Sequence, residues 1–342
     1  MSIKVGINGF GRIGRLTLRE TLKNDDFEVV AINDLASSSN LAYLLKYDSA
    51  HGVLKNKVEN DEKYLYVDNK KIRSYNIKDP KMIPWGECGV DIVLECSGVF
   101  RDVEKASMHL ENNKDVKGVV LSAPGKGNMP TFVYGVNHKS LDKKMNVISA
   151  ASCTTNCLAP VVKVLDEKFK VVGGFMTTIH AYTNDQTNLD LVKEKDFRRG
   201  RASACNIVPT TTGAASALGL VIPNLDKKIK GGAIRIPVVD GSLVDLTLEL
   251  EKNTSKEEIN KLFKEKSENE FKDIIVYNDE PIVSSDILTT SAGAIFDSTL
   301  SEVLDFNNKQ LVKVVAWYDN EYGYCAQFLR LAKEFYKVKK GN

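Results

Sequence analysis

The stretch Lys4-Val5-Gly6-Ile7-Asn8-Gly9-Phe10-Gly11-Arg12-Ile13-Gly14 decides the fold of the first half of this chain. It reads as a short buried strand that breaks into a glycine turn and continues into a helix. The glycines match G-x-G-x-x-G: Gly9 permits the tight turn, Gly11 lets a pyrophosphate approach the backbone, and Gly14 lets helix and strand pack closely. This context predicts a dinucleotide-binding unit.

A second strand supports this interpretation. Val29-Val30-Ala31-Ile32 runs into Asn33-Asp34, where an acidic residue can accept hydrogen bonds from an adenosine ribose. Asp34 would also repel a 2′-phosphate, which favours NAD over NADP. The alternative role for Asp34 is a turn or helix cap.

The alternation of strands and helices continues to about residue 150. Strands are predicted at Ile92–Glu95, Val119–Ser122 and Val147–Ser149, and they predict a parallel sheet covered on both faces, with ligands outside its carboxyl ends. A helical pattern covers Val103–Leu110, and His109 fits an exposed position on it.

The segment Ala150-Ala151-Ser152-Cys153-Thr154-Thr155-Asn156-Cys157 follows the last of these strands and precedes a helical pattern. The amides and partial positive charge of a helix N-terminus favour a thiolate, so Cys153 is a candidate nucleophile. Cysteines are also common as small buried hydrophobes, and two metal ligands one turn apart would have this spacing. No His or acidic residue lies nearby, so no metal is expected.

The second half has a different pattern. Alternating apolar residues at Val244–Leu250 predict a strand in a sheet with one buried face. The chain is therefore expected to be α/β: an N-terminal Rossmann-type doubly wound parallel sheet, plus an α+β catalytic domain with a mixed or antiparallel sheet. The expected boundaries are 1–152 for the dinucleotide-binding domain and 153–319 for the catalytic domain.

His180 is the best candidate partner for Cys153. It stands near the end of a predicted strand, Phe175–Thr183, while the chain's three other histidines fit loops or an exposed helix. An imidazolium beside the sulfur would stabilise a thiolate and exchange protons during the reaction. A merely structural histidine is the alternative.

Two arginine segments indicate anionic ligands. Arg198-Arg199-Gly200-Arg201 leads toward a Thr-rich turn, and Arg235 sits in an apolar strand, where it needs an acidic partner or an anion. Guanidinium beside hydroxyls and glycine amides suits phosphate. A solvated loop and an internal salt bridge are the alternatives.

The composition excludes several classes of protein. The 342 residues carry a formal net charge of +2, which gives no basis for binding nucleic acid or an anionic membrane. No apolar run reaches the roughly 18 residues of a membrane span. The scattered cysteines and the lack of a signal peptide pattern are typical of a cytoplasmic protein.

Taken together, these segments resemble phosphorylating glyceraldehyde-3-phosphate dehydrogenases along almost the whole chain. The motifs that carry the resemblance are Gly6–Arg15, Ala151–Leu158, His180–Thr183, Thr210–Ala214 and Trp317–Glu321.

The resemblance implies a role for each site residue. Cys153 would attack the aldehyde of glyceraldehyde 3-phosphate with His180 as base, hydride would pass to NAD, and inorganic phosphate would release the acyl group as 1,3-bisphosphoglycerate. Thr183 and Arg235 would hold the substrate's own phosphate. The inorganic-phosphate site would comprise Ser152, Thr154, Arg199, Thr212 and Gly213. The NAD contacts would comprise Gly9, Gly11, Arg12, Ile13, Asp34, Lys78, Ser122 and Asn320.

The resemblance also implies that a C-terminal helix at about 320–342 joins the NAD-binding domain. It further implies a homotetramer, in which the loop near 184–206 reaches a neighbour's cofactor site. The nearest rival activity is erythrose-4-phosphate dehydrogenase, and a more distant one is a semialdehyde dehydrogenase acting on a phospho-acyl amino acid. A chiefly non-catalytic binding role is the alternative from another class.

Overall fold

A computed structural model describes residues 2–307 and 309–341 as two compact units. The first unit runs to Ser152 and resumes at Phe328, and the second comprises Cys153–Gln327. The helices are α1 Arg12–Thr21, α2 Ser38–Lys46, α3 Val103–Ser107, α4 Cys153–Phe169, α5 Ala214–Val221, α6 Lys256–Glu268 and α7 Tyr322–Lys340.

Fifteen strands are found among the described residues. In the first unit they are β1 Ile3–Asn8, β2 Phe27–Asn33, β3 Val58–Asn60, β4 Tyr64–Val67, β5 Lys70–Tyr75, β6 Ile92–Glu95, β7 Gly118–Leu121 and β8 Val147–Ser149. In the second unit they are β9 Val171–Ala181, β10 Val208–Thr210, β11 Ile229–Ile236, β12 Ser242–Leu250, β13 Ile275–Asn278, β14 Ala294–Phe306 and β15 Lys309–Tyr318.

The first unit contains one eight-stranded sheet with the order β3-β4-β5-β2-β1-β6-β7-β8. Six neighbouring strands of this sheet are parallel to one another, in the order β5-β2-β1-β6-β7-β8, and β3 and β4 add an antiparallel edge. Strand β1 lies between β2 and β6, so the strand order reverses beside it, which is where a doubly wound sheet opens a ligand crevice.

Apolar residues cover both faces of this sheet. Ile92 and Leu94 belong to a cluster that also holds Phe328 and Phe335 of α7, whereas Val93, between them, belongs to a second cluster around Trp85. Successive residues of a strand point to opposite faces, so the two clusters lie on opposite sides.

One prediction for this unit is wrong. His109, expected on an exposed helical face, is completely buried. Helix α3 ends at Ser107, and a single 3₁₀ turn, Met108–Leu110, follows it. The tighter turn changes the direction in which His109 points, so helical spacing from α3 no longer applies.

The second unit contains a seven-stranded sheet with the order β10-β11-β9-β12-β15-β14-β13. The pairs β11–β9 and β13–β14 are parallel and the others are antiparallel, which confirms the predicted mixed sheet. On β12 buried residues alternate with half-exposed ones, as the apolar pattern of Val244–Leu250 predicts. Helix α7 continues the chain after β15 and ends at Lys340.

Candidate functional site

The glycine turn after β1 has the geometry that the G-x-G-x-x-G pattern predicts. Gly9 has φ +86°, and a Cβ there would lie 2.4 Å from the amide nitrogen of Ser97. A Cβ on Gly14 would lie 2.2 Å from the carbonyl oxygen of Gly9, whereas one on Gly11 would meet nothing within 4 Å. Gly9 and Gly14 therefore make the turn compact, and Gly11 leaves its outer side open for a pyrophosphate.

Asp34 fits the ribose end of a dinucleotide. Its Oδ2 accepts a hydrogen bond from the N–H of Phe10 at 2.8 Å, and its Oδ1 accepts one from Ala36 at 3.0 Å. Each carboxylate oxygen keeps a lone pair for a ribose hydroxyl. A cavity of about 540 Å³ lies beside it, lined by Asn8, Gly9, Gly11, Asn33, Asp34, Leu35, Ile77, Lys78, Cys96, Ser97, Val99 and Phe100.

The other predicted cofactor residues lie outside this lining. Arg12 donates to the buried carboxylate of Asp48, with Nη1 2.5 Å from Oδ2. Burial raises the pKa of Asp48, but hydrogen bonds from the His51 amide and from Arg12 outweigh it and lower the pKa below its ordinary value. Ile13 is in the first turn of α1, and Ser122 directly follows β7. The residues present therefore fit a dinucleotide best along Gly9, Gly11, Asp34 and Lys78.

In the second unit, the thiol and the imidazole predicted to work together do meet. Cys153 is the first residue of α4, and its Sγ lies 3.5 Å from Nε2 of His180. His180 is near the end of β9 and is only 3% exposed. Ala151, two residues before Cys153, has φ +58°, a conformation that costs a non-glycine residue free energy and turns the chain sharply into the helix.

The electrostatics of this pair differ from the expected imidazolium. Burial, and then the charge of Arg235, lower the pKa of His180 to about 3. Burial also raises the pKa of the Cys153 thiol, although Arg235 and hydrogen bonds from Thr154 act in the opposite direction. The resting pair is therefore a neutral thiol and a neutral imidazole. Proton transfer from Sγ to Nε2 creates both charges together, and their mutual attraction offsets part of the burial cost.

Arg235 controls where the proton of His180 lies. Nδ1 of His180 is 2.7 Å from both the carbonyl oxygen of Ala181 and Nη1 of Arg235. A guanidinium only donates, so Nδ1 can accept from Arg235 or donate to Ala181, but not both. Nη1 of Arg235 also donates to Ala181 at 3.1 Å. Only when Nδ1 carries the proton can Nε2 accept one from the thiol.

The guanidinium of Arg235 retains capacity for an anion. Among the described residues, its buried Nε has no hydrogen-bond partner and no carboxylate lies within ion-pair distance of it. The internal salt bridge considered for Arg235 is therefore absent from the part of the chain that the structure describes. Burial lowers the pKa of Arg235, which also favours a compensating negative charge.

Arg199 has a different environment. It pairs with the carboxylates of Asp185 and Asp196, and its Nη2 donates to the carbonyl oxygen of Thr211 at 3.1 Å. The segment is thus an ion-paired turn rather than a freely solvated loop. Thr183 donates to Asp185 at 2.5 Å, so this carboxylate is shared by two of the predicted phosphate residues.

The remaining predicted phosphate residues lie at helix starts. Thr212 and Gly213 precede α5, where a Cβ on Gly213 would meet nothing within 4 Å. Ser152 is the residue before α4, and Thr154 is in its first turn. Helix N-termini with open glycine backbone suit anions.

Tyr318 is a site residue that the sequence reasoning missed. Its hydroxyl lies 2.9 Å from Oγ1 of Thr154 and 2.8 Å from Oγ1 of Thr178, and its ring meets His180 edge-on. Thr178 donates to the carbonyl oxygen of Leu243, so Tyr318 donates to Thr178 and accepts from Thr154. No local pattern could have indicated this, because the contacts join segments up to 164 residues apart.

Asn320 is one of the predicted NAD contacts, and it stands just before α7 without capping that helix. In the structure Asp319 caps: its Oδ1 accepts from the amides of Glu321 and Tyr322. The buried Asn320 instead accepts a 2.5 Å hydrogen bond from the hydroxyl of Ser242.

The first unit of the chain thus has the features of a dinucleotide-binding domain, and the second has a thiol beside an imidazole and an arginine without an acidic partner among the described residues. These features are typical of a thiol-dependent aldehyde dehydrogenase. Comparison with known proteins agrees. Residues 3–103 match the family described as glyceraldehyde 3-phosphate dehydrogenase, NAD binding domain, and residues 152–320 match its C-terminal domain.

Full-length relatives carry the same description. Proteins named glyceraldehyde-3-phosphate dehydrogenase are 54% identical over 323 residues in Thermotoga maritima, 50% over 342 in Geobacillus stearothermophilus and 48% over 338 in Clostridium pasteurianum. The alignments cover 94%, 100% and 98% of this chain and 95%, 100% and 99% of the relatives. The chain belongs to the glyceraldehyde-3-phosphate dehydrogenase family, and its first domain is an NAD-binding domain.

Within residues 2–307 and 309–341, no helix has both the length and the apolar character needed to cross a membrane.

Proposed function

We propose that this protein catalyses the NAD-dependent oxidative phosphorylation of D-glyceraldehyde 3-phosphate to 1,3-bisphosphoglycerate, a step of glycolysis. The observation that carries the proposal is the 3.5 Å approach of the Cys153 sulfur to Nε2 of His180 at the start of α4. The proposed cofactor-binding part comprises residues 1–152 and the C-terminal part of the chain from about residue 320, and residues 153–319 carry the chemistry.

The first step joins the substrate to the enzyme. The Cys153 sulfur attacks the aldehyde carbon and its proton passes to Nε2 of His180. His180 then returns this proton to the former carbonyl oxygen, which becomes the hydroxyl of a thiohemiacetal, and the imidazole is neutral again. The neutral imidazole is suited to this step because Nε2 has a lone pair that can accept the proton. The partial positive charge at the start of α4 stabilises the sulfur as it becomes anionic.

NAD, when bound, supplies the acceptor for the hydride that leaves the thiohemiacetal carbon. His180 takes the hydroxyl proton during this oxidation, and a thioester on Cys153 remains. Asn320 is proposed to orient the carboxamide of the cofactor, since its side-chain amide is held rigidly by Ser242. Gly9, Gly11, Arg12, Ile13, Asp34, Lys78 and Ser122 are proposed to contact the rest of the dinucleotide.

Inorganic phosphate then attacks the thioester carbon and loses its proton to solvent, and the carbon–sulfur bond breaks. The leaving sulfur takes the proton held by His180, and the acyl phosphate leaves. The site proposed for this phosphate comprises Ser152, Thr154, Arg199, Thr212 and Gly213. Its support is the open backbone at the start of α5 and the nearby guanidinium of Arg199. Arg199 already pairs with two carboxylates, so phosphate competes with Asp185 and Asp196 for its N–H groups.

Thr183 and Arg235 are proposed to hold the phosphate that the substrate carries. An anion that draws Arg235 away from Nδ1 of His180 leaves Ala181 as the partner of that nitrogen. The proton then belongs on Nδ1, and Nε2 becomes the base. Binding of the substrate's phosphate and activation of the thiol are coupled in this way.

We also propose a homotetramer in the cytoplasm. The segment predicted to contact a neighbour exposes large apolar side chains, with Leu189 79% and Val192 81% accessible, and an interface would cover them. Sedimentation equilibrium or mass photometry tests the assembly.

The test of the activity is NADH formation by the purified protein with glyceraldehyde 3-phosphate, NAD and phosphate, before and after a thiol reagent. We expect NADH only with all three reactants and none after thiol blocking. Faster turnover on erythrose 4-phosphate, or turnover without phosphate, would support the erythrose-4-phosphate rival. No NADH from either aldehyde would support the semialdehyde or non-catalytic alternative.

A further inference from the structure

A buried carboxylate, Glu95, joins the ends of two strands beneath the cofactor cavity. It is the last residue of β6 and has no exposed surface. Its Oε2 accepts from the side-chain amide of Asn8 at 2.5 Å and contacts Nε2 of His109 at 2.9 Å. Its Oε1 accepts from the backbone N–H of Ser97 at 2.8 Å and from the Ser97 hydroxyl at 2.5 Å.

The proton positions in this cluster are fixed by its chemistry. Nε1 of Trp85 can only donate, and it lies 3.2 Å from Nδ1 of His109. Nδ1 is therefore an acceptor, and the proton of the neutral imidazole lies on Nε2 and is donated to Glu95. The carboxylate accepts four hydrogen bonds, which saturates its two oxygens. Trp85 and His109, like Glu95, are completely buried.

The cluster reaches the cavity through residues that line it. Asn8 and Ser97, both bound to Glu95, line the cavity, and so does Asn33. Asn33 donates to Oδ1 of Asn8 at 2.8 Å and accepts from the N–H of Ile77 at 2.9 Å, so the carboxyl end of β2 is tied to the same network. Gly9 allows Ser97 to approach so closely that a Cβ at Gly9 would overlap it.

We propose that Glu95, His109 and Trp85 are positioning residues for the dinucleotide: none of the three lines the cavity, yet together they set the spacing of Asn8, Asn33 and Ser97, which do. The inference rests on the proposed function, since it takes the cavity to be the NAD site. A carboxylate is needed at the centre because all four neighbouring groups are donors. An amide there would present a donor to one pair of them.

The decisive variants change hydrogen bonding with little change in shape. Glu95→Gln has one oxygen and one NH₂ group, so either the Ser97 pair or the Asn8–His109 pair loses its acceptor. A hydrogen bond to a charged group contributes about 1.5–3 kcal/mol, so we expect the Kd for NAD to rise roughly tenfold to a hundredfold. We expect kcat at saturating NAD to stay within about twofold, because the thiol and its histidine are unchanged.

Two substitutions at His109 separate hydrogen bonding from size. The side chain introduced by His109→Gln can donate to Glu95 and accept from Trp85, whereas that of His109→Leu can do neither. We expect His109→Leu to weaken NAD binding about as much as Glu95→Gln and His109→Gln to restore most of the affinity. Thr21→Val is the matched control, because it removes a buried hydrogen bond to the carbonyl oxygen of Leu18 at the far end of α1.

The experiment measures NAD binding to the full-length variants by isothermal titration calorimetry, with thermal unfolding and Cys153 alkylation in the absence of NAD as cofactor-independent readouts. One result would overturn the proposal: Glu95→Gln and His109→Leu both bind NAD within about twofold of wild type, and both lose only as much thermal stability as Thr21→Val. If Glu95→Gln does not fold, the His109 pair decides. Wild-type protein that binds no NAD would overturn the proposed function as well, which separates the two failures.

Discussion

The substitution His180→Asn tests the proton transfer on which the proposed mechanism depends. Asparagine keeps a polar amide near the sulfur but cannot take its proton. With 3.5 Å between Sγ and Nε2, the attraction between a thiolate and an imidazolium is about 5 kcal/mol at an effective dielectric constant of about 20. Burial of both groups opposes each charge, so the net effect is smaller and closer to the roughly 1.5–3 kcal/mol of a charged hydrogen bond.

This magnitude predicts that alkylation of Cys153 by iodoacetamide at neutral pH slows roughly tenfold to a hundredfold in His180→Asn. The neutral reagent avoids any effect of Arg235 on its approach. Turnover should fall further, by about 10²- to 10⁴-fold, because the variant has no general base. The rate is followed by mass spectrometry of the Cys153 peptide from pH 5 to 10, since the exposed Cys205 also reacts.

The control is the same change at a histidine of the first unit, His138→Asn, which should leave both rates within about twofold of wild type. The reasoning is refuted if Cys153 of His180→Asn is alkylated at the wild-type rate with an unchanged pH profile.

The pH profile of the wild type carries further information. Because the pKa of His180 is lowered to about 3, no step from protonation of this histidine should occur near pH 6.5.

Three further substitutions test other parts of the account. Cys153→Ser should abolish NADH formation and acyl-enzyme while NAD affinity by calorimetry stays within about twofold; retained turnover would exclude the thiol mechanism. Asp34→Ala should weaken NAD about tenfold or more and NADP much less in the same titration, since it removes a charged acceptor for the ribose, and equal losses would remove Asp34 from that role. Burial, and then the charges of Asp319 and Glu321, raise the pKa of Asp240 from 3.8 to about 9. Between these two values the folded state holds a proton that the unfolded state has released, so the free energy of unfolding falls as pH rises from about 4 to about 9. Asp240→Asn should therefore gain in thermal midpoint over wild type as pH rises from 4 to 9; a constant difference between the two proteins would contradict this.

The first unit could be predicted from the sequence because its signals are local. The turn between β1 and α1 has three glycines within six residues: the backbone around Gly9 and Gly14 leaves no room for a Cβ, and Gly11 keeps the outer side of the turn open. The α/β class and the mixed second sheet followed from runs of apolar residues and are confirmed. The assignment of individual site residues other than the Cys153–His180 approach remains a set of predictions for experiment.

His109 shows where local reasoning ends. Helical spacing predicted an exposed side chain, but one 3₁₀ turn after α3 buries it against Trp85 and Glu95. In this buried position Nε2 of His109 donates a hydrogen bond to Glu95, a carboxylate 14 residues earlier. Arg199 is similar: Arg198 and Arg201 flank it in the sequence, and its pairing with Asp185 and Asp196 became evident only in three dimensions.

The arrangement around the thiol depends on strand register more than on any motif. His180 of β9 pairs with Arg235 of β11, and Leu243 of β12 pairs with both Ile179 and Trp317. These pairings put Arg235 against one nitrogen of the imidazole and the Tyr318 hydroxyl beside Thr178. A slip of one residue in any of the three strand pairs would turn the corresponding side chain to the other face of the sheet. The long apolar faces of β12 and β15 oppose such a slip, because it would expose residues such as Leu246 and Val314 that are now 1% accessible. The buried face of the sheet thereby fixes the alignment of histidine, arginine and tyrosine on which the chemistry of Cys153 depends.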